Sequence, residues 1–185
     1  MLVELDACRS DAESLLASHL ESSQPQVRRR AAIALLPDAR LSSAGLVREL
    51  ADSHPVELAL ITERLLDSGQ GLSELLSQRL RSAQAASASV EAKYRGFLAA
   101  CALLLEFPQV KPSSTDWRFI AEEFSEQPSA QLPYWIELLQ PFSRNFQQPI
   151  GEIIESSEVS RKKLNAYQIA LEYAQHHAEE SGEID

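Results

Sequence analysis

The sequence predicts an all-α protein, a right-handed α–α superhelix of about four or five helical hairpins. Three observations carry that prediction. Apolar residues recur at i, i+3, i+4 and i+7 along nearly the whole chain, and no run sustains the period of two that a half-buried strand requires. Aromatics supply only 6% of the residues while Ala and Leu abound, a mixture that packs helices closely and suits sheets poorly. Short stretches rich in Pro, Gly and Ser divide the chain into roughly nine or ten periodic segments.

In the first segment Ser10 and Glu13 have capping-box spacing, and Ala12, Leu15, Leu16, His19 and Leu20 follow on one stripe. The second, "PQVRRRAAIALLP" at 25–37, opens with a proline suited to a first turn, where its missing N–H costs nothing. Its stripe is Val27, Ala31, Ala34 and Leu35, and Pro37 ends it. Residues 43–51 form a short candidate with Leu46, Val47 and Leu50. Pro55 opens the next, with Leu58, Ile61, Thr62 and Leu65 on one face, and Gly69 and Gly71 break it. From 72 to about 84, Leu72, Leu75, Leu76 and Leu80 repeat the pattern, and "SAQAASASV" is either a frayed helix end or a loop.

Residues 89–107 are the strongest element. Val90, Tyr94, Phe97, Leu98, Cys101, Leu104 and Leu105 make a face broad enough to predict a central helix buried on more than one side. "PQVKPSST" is a linker. After it Ser114 or Thr115 is expected to cap a helix, with Asp116 favourable in its first turn and Trp117, Ile120, Ala121 and Phe124 as its stripe. Pro128, Pro133 and Pro141 punctuate a stretch containing "YWIELL". Phe142, Phe146, Ile150 and Ile153 follow at helical spacing, and Pro149 is expected to kink or split that segment. A last helix over 158–178 carries Ala166, Ile169, Ala170, Tyr173 and His177. The expected organisation is one helical-repeat domain over 1–178 and an acidic mobile tail over 179–185.

Self-comparison supports a repeat. "RRRAAIALL" at 28–36 matches "GFLAACALL" at 96–104 through Ala32, Ala34 and Leu35 against Ala100, Ala102 and Leu103. "KKLNAYQIA" at 162–170 fits again through Ala166 and Ile169. The offsets are 68 residues (32 to 100) and 66 residues (100 to 166), near twice the length of a helical-hairpin repeat. Small residues there let neighbouring helices approach closely.

The run Pro25, Val27, Arg28, Ala31, Ala32, Ala34 and Leu35 resembles the second helix of a HEAT repeat. A narrower resemblance spans roughly 27–178. The order "RRRAAIALLP", "ITERLLD", "FLAACALL", "DW", "YWIELLQPF", "QQPIGEII" and "SRKKLNAYQIALEYA" is similar to a helical region of planctomycete proteins, where it often follows a serine/threonine kinase domain. Its marks are Trp135, Pro141, Pro149, Ile150, Ala166, Ile169, Tyr173 and Ala174. The resemblances imply a HEAT/armadillo-like array and a kinase signalling context. They transfer no catalytic residue, because the sequence has no glycine-rich loop, no "HRD" and no "DFG".

Charge narrows the partners. A formal net charge of −10 repels a phosphate backbone and an acidic membrane surface, so neither nucleic acid nor membrane is expected. No apolar run is long enough to span a bilayer. The opening "MLVELDACRS" lacks the basic and apolar regions of a signal peptide, and the two cysteines, Cys8 and Cys101, have no metal-ligand spacing; a reduced, cytoplasmic setting is expected.

Candidate chemistry is sparse. Arg28, Arg29 and Arg30 spread over about 200° of a helix, so they cannot all face one ligand and read best as solvated or ion-pairing groups. His176 and His177 point about 100° apart and have no His or Cys four residues on, so no metal is expected, nor any cofactor. Cys101 lies on an apolar face and reads as core. Carboxylate pairs such as Glu122–Glu123, or Asp116 with Glu122, are ordinary on so acidic a surface. There is no GxSxG, HExxH, P-loop or GxGxxG.

The expected role is therefore non-catalytic. Exposed side chains on the inner helices contact another protein or protein segment, with a basic one favoured. Arg28, Arg95 and Arg161, near the starts of the three similar helices, are candidates for a recurring surface row. Trp135, with Tyr134 and Trp117, either anchors a peptide or wedges between repeats, and packing is the better reading. Two rivals stand beside this: a structural spacer between domains, and a helical-repeat enzyme such as a DNA-base glycosylase, which requires a basic concave face. The sequence leaves the oligomeric state open.

Overall fold

Six α-helices and one 3-10 turn follow one another in the computed structural model, which describes residues 71–156 and 159–181 with positions 15, 16, 18, 19, 31 and 58. They are α1 (Leu72–Ala83), α2 (Val90–Glu106), α3 (Ser114–Ser125), α4 (Leu132–Leu139), the 3-10 turn Gln140–Phe142, α5 (Ser143–Glu155) and α6 (Arg161–Ser181). The chain is all-α over the described residues, with no strand among them. The segments expected to open near Ser10, Pro25, residue 43 and Pro55 fall mostly outside those residues, as does Arg28. Ala31 and Leu58, each expected on a buried stripe, are helical and buried, whereas Leu15 is exposed.

The local causes of each helix are visible. Gly71 precedes α1 with φ of +96°, a left-handed conformation that only glycine adopts without strain. Leu72, Leu76, Leu80 and Ala83 then bury one face of α1. The 84–89 segment is a loop, and Ser89 caps α2 by accepting a bond from the Ala92 N–H at 3.1 Å. Helix α2 is buried at every position from Gly96 to Leu104, so it is the central helix of the described region.

Helix α3 begins one residue earlier in its cap than the sequence suggested. Ser113, rather than Ser114 or Thr115, is the N-cap, because Asp116 reaches back three residues to close a capping box. Pro133 opens α4 in its first turn. Pro149 neither ends nor divides its segment. Ser143–Glu155 is one helix with the proline inside it, buried on the same side as Phe146 and Ile150. One missing backbone bond is outweighed there by burial of that stripe. Helix α6 reaches Ser181, so the boundary expected at 178 falls inside it, and 182–185 lie outside the described residues. No helix among the described residues is long and apolar enough to cross a membrane.

Three pairs of successive helices keep a constant stride, and the members of the first and third pairs, α1 with α2 and α5 with α6, pack on each other. The two members of each pair start 18 residues apart: 72 and 90, 114 and 132, 143 and 161. Contacts also run between alternate helices. Gln84, at the end of α1, donates to the Asp116 carboxylate of α3 at 2.7 Å, and Arg118 of α3 pairs with Glu152 of α5 at 3.0 Å. Phe97 of α2 meets Trp135 of α4 edge-on at 4.8 Å, and the Tyr173 hydroxyl of α6 donates to the Ile136 carbonyl of α4 at 3.3 Å. Helix α3 packs on α5 and also on α2 and α6, and α4 packs on α6.

An aromatic chain joins α3, α5 and α6. Phe124 packs on Phe146 at 5.6 Å, Trp117 on Phe146 at 5.2 Å and Phe146 on Tyr173 at 6.3 Å. Each such pair adds about 0.5–1.5 kcal/mol to the burial of its surface. The closest helix approach is at Gly96, where an added Cβ would lie 2.1 Å from the Ala83 Cβ. The small residues singled out in the sequence do mark tight packing: Ala100, Ala102 and Ala166 are all buried.

Candidate functional site

A cleft of about 310 Å³ opens between α4 and α6. Its floor is Pro133, Ile136 and Tyr173, and its rim carries Glu137, Glu172 and Glu179. The bond from Tyr173 to the Ile136 carbonyl, with burial of Trp135 and Leu139 on the inner face of α4, fixes the distance between the walls. Burial pushes the Tyr173 phenol well above its ordinary pKa, so its proton stays on and the bond to α4 persists.

Five described glutamates outside this rim are already paired. Glu74, Glu91, Glu122, Glu126 and Glu152 each face an arginine or lysine: Arg81, Arg95, Lys162, Arg161 and Arg118 respectively. Glu137, Glu172 and Glu179 form no ion pair with any described residue and line the open cleft. Glu172 and Glu179 are seven residues apart on α6, hence about 10 Å apart along one side of it. That interval matches basic residues three apart on a polyproline II chain, which advances about 3.1 Å per residue and returns to the same face every third residue.

A second cleft, of about 360 Å³, lies among α1, α2 and the start of α3. Its one carboxylate is already committed. Asp116 accepts from the Ser113 N–H at 2.7 Å, from the Ser113 hydroxyl at 2.7 Å and from Gln84 at 2.7 Å. Burial alone would raise the Asp116 carboxyl pKa; the bonds from Ser113 and Gln84, with the charge of Arg81, outweigh it and hold the pKa below the usual range.

The residues expected to meet a partner are placed as follows. Arg95 pairs with Glu91 on its own helix. Arg161 donates to the Glu126 carbonyl at 3.2 Å and lies 3.7 Å from the Glu126 carboxylate, at the C-terminal end of α3, where the helix dipole favours a cation. Trp135 is fully buried against Phe97 and offers no surface; its contribution is packing. Trp135 therefore adds no surface to Arg95 and Arg161, and Arg28 lies outside the described residues.

The paired histidines diverge as their spacing requires. His176 lines the α4–α6 cleft, while His177 lines the opposite cleft between α5 and α6 and shares a 3.1 Å hydrogen bond with Ser143. Among the described residues no group of three His, Cys, Asp or Glu is placed to hold a metal. Cys101 is buried, and burial raises its thiol pKa well above the ordinary value, so it stays protonated.

The acidic rim was missed by sequence reasoning. The spacing of Glu172 and Glu179 was legible, but Glu137 sits 35 residues before Glu172 and joins them only through the packing of α4 on α6. Neither family models, curated proteins nor solved structures give a match to this chain.

Proposed function

We propose that the protein is a non-catalytic helical-repeat scaffold, a HEAT/armadillo-like α–α superhelix, that binds a basic segment of another protein in the α4–α6 cleft. The observation that carries this reading is the rim of Glu137, Glu172 and Glu179, which pairs with no described charge, beside the apolar surfaces of Pro133, Ile136 and Tyr173. A Lys or Arg stem lies well on such a floor while its charge meets a carboxylate. The constant 18-residue stride of three helix pairs, the packing of α1 on α2 and of α5 on α6, and the alternate-helix contacts support the superhelical reading. The resemblance to helical regions of kinase-containing proteins is the ground for proposing a signalling context.

Selection from a random peptide library tests the idea. The wild-type protein enriches peptides with Lys or Arg about three residues apart, and E137K/E172K/E179K abolishes that enrichment while leaving the far-UV circular dichroism unchanged. Affinity falls with rising salt, because the rim is exposed and screened. Selection of neutral peptides, or basic peptides still selected by the triple variant, overturns the proposal.

A further inference from the structure

The small cleft between α5 and α6 has no part in peptide binding at α4–α6. Its two helices run antiparallel. His177 of α6 shares its hydrogen bond with Ser143 at the start of α5, and Lys163 of α6 donates to the Ser156 carbonyl just past the end of α5. Between these ties lies a space of about 200 Å³. Its apolar walls include Ile150, Gly151 and Ile154 of α5 and Ile169, Ala170 and Ala174 of α6. The exposed large hydrophobic residues of α6, Leu164, Tyr167 and Leu171, do not line it. Gly151 keeps the space open. It stands inside a helix, where glycine is the least favourable residue after proline. Its φ is not positive, and an added Cβ would meet nothing within 4 Å, so neither backbone conformation nor close packing calls for glycine here. Gln147 lies one turn before it and Ile154 one turn after it on the same wall, so a side chain at 151 would enter the middle of the cleft.

The cleft is polar at one end only. Ser143, which is 6% exposed, meets His177 there at 3.1 Å, and Gln147 lies one turn further along α5. After the bond to His177 the Ser143 oxygen keeps hydrogen-bonding capacity, and the Gln147 amide offers both a donor and an acceptor. No Asp, Glu, Lys or Arg is among the described residues that line the cleft. A charged head group would lose its hydration there with no opposite charge to meet. A neutral hydroxyl, which both donates and accepts, matches the polar end. Size sets the rest of the ligand: an apolar cavity of about 150 Å³ holds benzene, so about 200 Å³ holds a ring with a hydroxyl and one or two further carbons.

We propose that the α5–α6 cleft binds a small neutral hydroxyl-bearing hydrocarbon of about the size of an alkylphenol. The hydroxyl sits at Ser143, and the apolar body lies along α5 and α6 in the space that Gly151 leaves. This binding does not depend on the acidic rim of the α4–α6 cleft, and its readout involves no peptide.

NMR titration of the isotopically labelled full chain with 4-methylphenol tests it. The wild type binds saturably, with Kd of about 1 mM or below, and the shifted backbone amides belong to α5 and α6. Toluene, which lacks the hydroxyl, binds about tenfold more weakly, and 4-methylbenzoate, which carries a charge, does not bind. S143A abolishes the preference for the hydroxyl and still binds toluene. G151L fills the cleft, so 4-methylphenol no longer binds, while its melting temperature does not fall, because a Cβ at 151 meets nothing. Absence of saturable binding by 4-methylphenol overturns the proposal, as does equal affinity for toluene, a hydroxyl preference that survives in S143A, or binding retained by folded G151L. Sedimentation of the same samples tests the other occupant of such a cleft, a second copy of the chain. A wild-type dimer that 4-methylphenol dissociates overturns the proposal too.

Discussion

Replacing Gly96 with Ala sets two physical effects of opposite sign against each other. Helix propensity alone predicts a gain of about 1 kcal/mol, because Gly96 lies inside α2. The packing predicts a loss. The new Cβ would stand 2.1 Å from the Ala83 Cβ and 3.3 Å from the Phe119 ring. Carbon atoms rest at about 3.5–4.0 Å, so α1 and α2 must part by about 1.5 Å at this point. Neither methyl can rotate away, and α1 also buries Leu72, Leu76 and Leu80 against the core, so the strain spreads along the hairpin. Overpacking at the upper end of its usual range, about 3 kcal/mol, less the propensity gain, leaves G96A about 2 kcal/mol less stable. For a chain of this length that lowers Tm by about 4–8 °C. Urea unfolding followed by far-UV circular dichroism measures it. The double variant A83G/G96A removes the clashing methyl and recovers part of the loss as a coupling between the two sites. G96A as stable as wild type, or more so, refutes the close approach of α1 and α2.

Two further outcomes test the fold around the hairpins. Asn165 donates to the Ser125 carbonyl at 2.8 Å and the Gln127 carbonyl at 2.9 Å, closing the C-terminal end of α3, so N165A leaves two buried acceptors unpaired and costs about 2 kcal/mol in urea unfolding; an unchanged midpoint sinks that assignment. D116N weakens the Ser113 capping box and costs about 1 kcal/mol at neutral pH. The folded carboxyl pKa of Asp116 is depressed, so its contribution is complete above the unfolded pKa and is lost as pH falls through the folded one. The gap between wild type and D116N therefore narrows under acid, and a gap independent of pH contradicts the capping role.

The elements were largely legible because helix formation is local. The stripes Leu72–Leu76–Leu80 and Ile120–Ala121–Phe124 name their helices and their buried faces from sequence alone. The N-cap of α3 was displaced by one residue because Ser113, Ser114 and Thr115 all carry a capping hydroxyl. Only the reach of Asp116 to Ser113 selects among them. Pro149 misled for a different reason: its intrinsic cost is local, but what offsets it is the burial of α5 against α3 and α6.

The sequence by itself determined an all-α chain, the positions of the described helices, the glycine break before α1 and the broad burial of α2. All of these follow from periodicity and backbone preference within a few residues. Tertiary structure alone decided which charges are spent. It gave Arg161 to Glu126, left Glu137, Glu172 and Glu179 facing an open cleft, and sealed Trp135 behind Phe97. It also separated the two apolar stripes of α6, burying Ile169 and exposing Leu171. Side chains of like chemistry carry no local mark of which neighbour, tens of residues away, will cover or neutralise them.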